Sequence, residues 1–147
     1  MIFPYVSYET DRTPSIPSGV IHRPEIRIRV ISGQRSVQIS GLLDTGADNV
    51  FASASLANAL GIEMRGEPEQ AVGAGSHELE VWPGSVEIEI ALDGERYRWP
   101  VEVGFLSGDD EPPVAYLGHA GFLEHFKAIF DAENWLVELI PREYLVR

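Results

Sequence analysis

The sequence contains no cysteine, which excludes disulfides, thiolate metal sites and a cysteine nucleophile. It has one lysine, Lys127, and carries neither a Walker loop nor a nucleophile elbow. Basic side chains are scarce: 11 Lys and Arg face 23 Asp and Glu, a net charge of −12. Such a surface repels phosphate backbones and anionic lipid, so neither nucleic acid nor a membrane is expected as a partner. No apolar run approaches the ~20 residues of a membrane helix. The opening Met1-Ile2-Phe3-Pro4-Tyr5 lacks the basic-then-apolar order of a signal peptide, so a cytoplasmic location is expected. His22, His77, His119 and His125 lack metal-ligand spacing, and Asp109-Asp110-Glu111 does not fit a calcium loop. Gly73-Ala74-Gly75-Ser76-His77-Glu78 begins like a dinucleotide fingerprint but has Glu78 where the third glycine belongs. The expectation is therefore no metal and no organic cofactor.

What is present is ordinary globular material: 147 residues, 44% apolar and 23% charged, enough for one domain. Charge is uneven, with five arginines against three acidic residues over 1–40 and six basic against twenty acidic over 41–147. Residues 1–23, with Pro4, Pro14, Pro17 and Gly19 and no sustained period, read as an irregular N-terminal arm ahead of a folded domain over 24–147. From Glu25 to Val30 polar and apolar residues alternate, the two-residue period of a half-buried strand. Ser32-Gly33 turns the chain into a second strand that ends at Leu42-Leu43. Val86–Ile90 alternates again, Asp93-Gly94 supplies a hairpin turn, Arg96–Val103 returns, and Trp135–Ile140 is the last strand. Trp82, Trp99 and Trp135, all in strand-like contexts, are expected in the core or an interface. Helical signal is limited to 53–60, stopped by Gly61, and to one or two turns at 121–126. Short strands punctuated by Gly and Pro predict an all-β sandwich or barrel.

One segment carries chemistry: Leu42-Leu43-Asp44-Thr45-Gly46-Ala47-Asp48. A strand end delivers Asp44 to a turn, Thr45 can hold the loop by hydrogen bonds, and Gly46 admits close backbone approach. By itself Asp-Thr-Gly also suits a plain polar turn. Two leucines before it and Ala-Asp after it make the combination far more specific.

This segment resembles the active-site motif of the retroviral-type (retropepsin-like) aspartic proteases, and the likeness runs in order over roughly residues 24–141. Val72-Gly73-Ala74-Gly75 is similar to the tip of that family's flap hairpin, and Ala115-Tyr116-Leu117-Gly118 to its two-apolar-then-glycine signature. Gly121–Phe126 resembles the short helix that follows, and Ile129-Phe130-Asp131 with Leu136–Leu139 the closing strands. The resemblance implies a closed β-barrel with a flap hairpin and one or two short helices. It implies an aspartic endopeptidase in which Asp44, Thr45 and Gly46 are catalytic and Ala47, Asp48, Gly73, Ala74 and Gly75 meet a polypeptide substrate. Asp48 equally suits a solvated turn, and the glycines an ordinary hairpin. Two carboxylates close enough to share a proton are needed to hydrolyse a peptide this way, and this chain has one Asp-Thr-Gly. A two-fold homodimer is therefore implied, with Asp44 from each copy on the axis. Where many family members carry Arg followed by Asp or Asn, this chain has His119-Ala120, which removes the arginine's charge pairing. Residues 1–23 suit a processed arm, an added edge strand or a cover over the sheet, and Leu136–Leu139 is apolar enough to join an intermolecular sheet. A non-catalytic dimeric peptide-binding module of the same fold is the alternative.

Overall fold

Alternation decides the hairpin over residues 25–43. Along Glu25–Ser32 (β4) the side chains of Ile26, Ile28 and Val30 are buried while Arg27 and Arg29 are exposed. These elements belong to a computed structural model that describes residues 1–76, 78–108 and 112–146. His77 and Asp109-Asp110-Glu111 lie outside the described residues. β4 pairs antiparallel with Arg35–Leu43 (β5), from Ser32↔Arg35 to Glu25↔Leu42. Val50–Ser53 (β6) leads into one short helix, Ala54–Ala59 (α1), whose first turn is capped by the Ser53 hydroxyl accepting from the Leu56 amide.

Glu69–Val72 (β7) turns back into the long Glu78–Leu92 (β8), and β8 into Glu95–Leu106 (β9). The β8–β9 turn is Asp93-Gly94, with φ of 51° and 85°, the left-handed pair expected of a tight hairpin. Ala115–Leu117 (β10) pairs parallel with β5 on one side and antiparallel with β6 on the other. The order β4-β5-β10-β6-β9-β8, closed by β4–β8 pairing, makes a six-stranded barrel with β7 on its edge. Ile28, Val50, Ile88, Ile90, Phe105, Leu117 and Phe122 fill it, each at most 1% exposed. Burying such a side chain contributes about 1.5–3 kcal/mol. Among the described residues no helix is long and apolar enough to cross a membrane.

Residues 1–23 differ from the irregular arm read in the sequence. Ile2–Pro4 (β1) pairs with Leu136–Pro141 (β12), whose other edge takes Phe126–Asp131 (β11). Val6–Glu9 (β2) and Val20–Arg23 (β3) form a separate hairpin. Phe3 is buried, so this segment has a share in the core. The prolines fall at strand ends and in the β2–β3 loop, where a missing amide breaks no ladder. Because β12 is paired on both edges, Leu136–Leu139 offers no free edge to a second chain; in that sheet β1 and β11 have the edges left unpaired among the described residues. Trp135 also departs from expectation. It stands in the turn before β12 with φ of 54°, 42% exposed, and stacks on His22 at 4.0 Å between ring centroids. Trp99 meets its expectation: its indole N–H donates to the Gly121 carbonyl at 2.8 Å among Phe122, His125 and Phe126.

Burial of the His125 ring, packed against Trp99 and Tyr144, pushes its pKa below the ordinary 6.5, with Glu124 opposing. The unfolded chain then binds a proton that the folded chain resists. Stability from this group is complete above about pH 6.5 and declines as pH falls through the lowered value. Urea midpoints measured from about pH 7.5 down to 5 should fall for the wild type, and the fall should be shallower for His125→Phe.

Candidate active site

The barrel brings Asp44 to a crossing point. β5 and β6 are consecutive in sequence but not neighbours in the sheet, because β10 lies between them. The chain from Asp44 to Asn49 must therefore arch over the end of β10. The Leu43 amide donates to the Pro24 carbonyl at 3.0 Å, and the Asp44 amide to the Leu117 carbonyl at 3.2 Å, so the strand is held to its last residue. There the chain leaves the sheet. Asp44 Oδ1 accepts from the Gly46 amide at 2.8 Å, a side-chain-closed turn that Asp forms readily. This fixes the carboxyl group, half-buried, at the mouth of the barrel. A Cβ on Gly46 would stand 3.2 Å from that same oxygen.

The segment after β10 secures the arch. The amides of His119 and Ala120 donate to the carbonyls of Ala47 (3.0 Å) and Asp48 (2.8 Å). His119 Nε2 lies 2.9 Å from the Thr45 carbonyl; since that oxygen only accepts, Nε2 carries the proton. Gly118 is required by contact: an added Cβ would be 2.3 Å from the Asn49 carbonyl oxygen and 2.5 Å from that of Ala47. Thr45 and Asp48 are exposed, Ala47 half-buried.

Asp44, Thr45, Gly46, Ala47 and Asp48 thus share one turn. Gly73, Ala74 and Gly75 do not belong to it; they form the tip of the β7–β8 hairpin, where Gly75 takes φ of 78° and the Ser76 amide donates to the Gly73 carbonyl. A cavity of about 280 Å³ reaches from Asn49 and Phe51 of the β6 segment to Glu69 and Ala71 of β7, with Val81 and Val103 on its walls; it is lined by neither the Asp44–Asp48 turn nor the Gly73–Gly75 tip. Glu102 at its rim accepts from the Ser85 hydroxyl. Among the described residues no group of three or more His, Asp or Glu could hold a metal ion.

His119 is the site residue that sequence reasoning missed. It stood out as a departure from the family pattern, but nothing local ties it to Thr45, 74 residues earlier.

Residues 27–118 match the model of a family described as aspartyl protease. No curated protein matches the chain. Among solved structures, a retropepsin-like aspartic protease from Rickettsia conorii superposes with a TM-score of 0.53 at 16% identity, covering 95% of this chain and 92% of that one. EIAV protease, solved with the inhibitor HBY-793, gives 0.42 at 24% identity over 65% of this chain and 81% of its own. The retroviral protease-like domain of Ddi1 from Leishmania major gives 0.43 at 18% identity, over 81% and 96%. At these identities the first likeness concerns the fold.

Proposed function

The chain belongs to the aspartyl protease family, and from that premise we propose that it is an aspartic endopeptidase working as a homodimer, each copy giving Asp44 to a proton-sharing pair on the two-fold axis. The observation that carries this reading is the Asp44 turn: a half-buried carboxyl group fixed by the Gly46 amide where β5 leaves the barrel beside β10. Two carboxyl groups about 3 Å apart cannot both ionise, so the pair holds one proton. The ionised member takes a proton from water as the water oxygen attacks the scissile carbonyl carbon, while the protonated member gives its proton to the carbonyl oxygen. Collapse of the tetrahedral intermediate protonates the leaving nitrogen, breaks the C–N bond and releases an acid and an amine. The titration belongs to the pair, and activity peaks on the acid side of neutrality.

Thr45 holds the turn near the axis, and Ala47 and Asp48 meet the substrate main chain. The hairpin tip at Gly73, Ala74 and Gly75 closes over an extended peptide as a flap. Phe51, Val81 and Val103, on the walls of the cavity between β6 and β7, suit an apolar side chain of the substrate. The outer face of the β1–β12–β11 sheet bears exposed Ile2, Ile129 and Ile140, an apolar surface that suits a second copy. Incubation with a mixed peptide library across pH tests the reading. Cleavage that a statine-type transition-state mimic suppresses is expected; confirmed dimers that cleave nothing would point to a peptide-binding module.

His119 acts here as a positioning residue. His119→Ala releases the Thr45 carbonyl and should lower kcat about tenfold with KM little changed, while His119→Gln, whose amide N–H can still donate, keeps more of the rate. Steady-state kinetics on the three proteins distinguish this from general destabilisation, which would lower the active fraction of both variants alike.

A further inference from the structure

The barrel is not closed along its whole seam. β4 and β8 pair only from Arg29↔Glu89 to Ile31↔Glu87. Beyond Arg29, β4 runs on to Glu25 and β8 on to Leu92, and these two edges face each other without ladder partners among the described residues. Between them lies a cavity of about 440 Å³, within the range of small-molecule sites, roughly 300–1,000 Å³. Phe3, Pro4 and Val6 of the N-terminal segment form one wall, and no residue of the Asp44–Asp48 turn lines it.

Its charges are incompletely matched. Glu89, 7% exposed, is flanked by Arg29 at 3.7 Å and Arg96 at 3.8 Å. Glu25 is 3% exposed; Oε2 accepts from the Tyr8 hydroxyl at 2.5 Å, but Oε1 is buried with no hydrogen-bond partner among the described residues. Two residues along the same face of β4, the exposed Arg27 guanidinium has no ion pair among the described residues. A buried carboxylate oxygen without a donor is costly, and a ligand bringing a cationic donor removes that cost. A chain of net charge −12 has nonetheless gathered three of its 11 basic side chains on this cavity, so the same ligand finds a place for an anionic group. The unpaired strand edges offer main-chain donors and acceptors to an extended backbone.

We propose that this cavity binds a short peptide with free ends, its ammonium on Glu25 Oε1, its backbone along the open edge of β4 and its carboxylate on Arg27. The inference is independent of whether Asp44 catalyses anything.

Triglycine is the probe, titrated into the 147-residue chain carrying Asp44→Asn so that no hydrolysis intervenes, with backbone amide chemical shifts as the readout. Saturable shifts over residues 25–29 and 90–92 are expected. Affinity should fall at least tenfold for N-acetyl-triglycine amide, and likewise for triglycine with Glu25→Gln or Arg27→Gln added. Arg27 is exposed, so its variant folds even where that of the buried Glu25 does not. Free glycine, which cannot span both charges along the strand, should bind at least tenfold more weakly. Any of the following would overturn the proposal: no saturable shift, shifts confined to residues 44–48, equal binding of the capped peptide, or equal binding of glycine.

Discussion

Asp44→Asn should reduce peptide hydrolysis by about 10⁴-fold while leaving the fold and any self-association intact. Asparagine keeps the side-chain oxygen that accepts from the Gly46 amide, so the turn has no reason to open. What disappears is the ionisable proton. Two asparagines on the axis can neither take a proton from water nor give one to the scissile carbonyl, and positioning alone is left to accelerate the reaction. Steady-state rates on a peptide cleaved by the wild type, beside circular dichroism and sedimentation of both proteins, measure this. A variant with unaltered fold and undiminished rate would show that Asp44 is not the acid or base.

Gly118→Ala should be as damaging by a different route. The new methyl would meet two backbone oxygens, at 2.3 Å and 2.5 Å, and both belong to the arch that carries Asp44. Backbone cannot rotate away as a side chain can, so either β10 slips from between β5 and β6 or the arch lifts. A cost of about 3 kcal/mol or more follows, at the upper end of overpacking effects. Urea denaturation should show a lower midpoint with an unchanged slope, and the folded fraction should lose activity because the turn has moved. A midpoint within experimental scatter of the wild type would mean that the arch does not lie against Gly118.

Much of this architecture could be read from the residues. The alternation of β4 and of β8–β9 and the Asp93-Gly94 turn need only local information, and so does the strand end at Leu42-Leu43 followed by Asp-Thr-Gly. Other features depend on distant partners. β1 is three residues long and acquires strand form only by pairing with β12, more than 130 positions away. Glu69-Gln70-Ala71-Val72 has no apolar alternation and is a strand because β8 runs beside it. Glu25 occupies an outward position on β4 and should be exposed by period, yet it is buried, with Tyr8 of the N-terminal hairpin bonded to it. Trp135 carries a strand-like side chain on a backbone that turns. The Thr45–His119 contact follows from β10 standing between β5 and β6, an arrangement no local pattern reports.

The most direct test of the proposed half-site is the initial rate of peptide cleavage as a function of total chain concentration, followed across the monomer–dimer equilibrium measured by sedimentation. If each chain brings a single Asp44 to a shared pair, the rate rises with the square of concentration while monomer predominates and becomes linear once dimer does. A rate that stays proportional to concentration where every chain is a monomer would contradict the account.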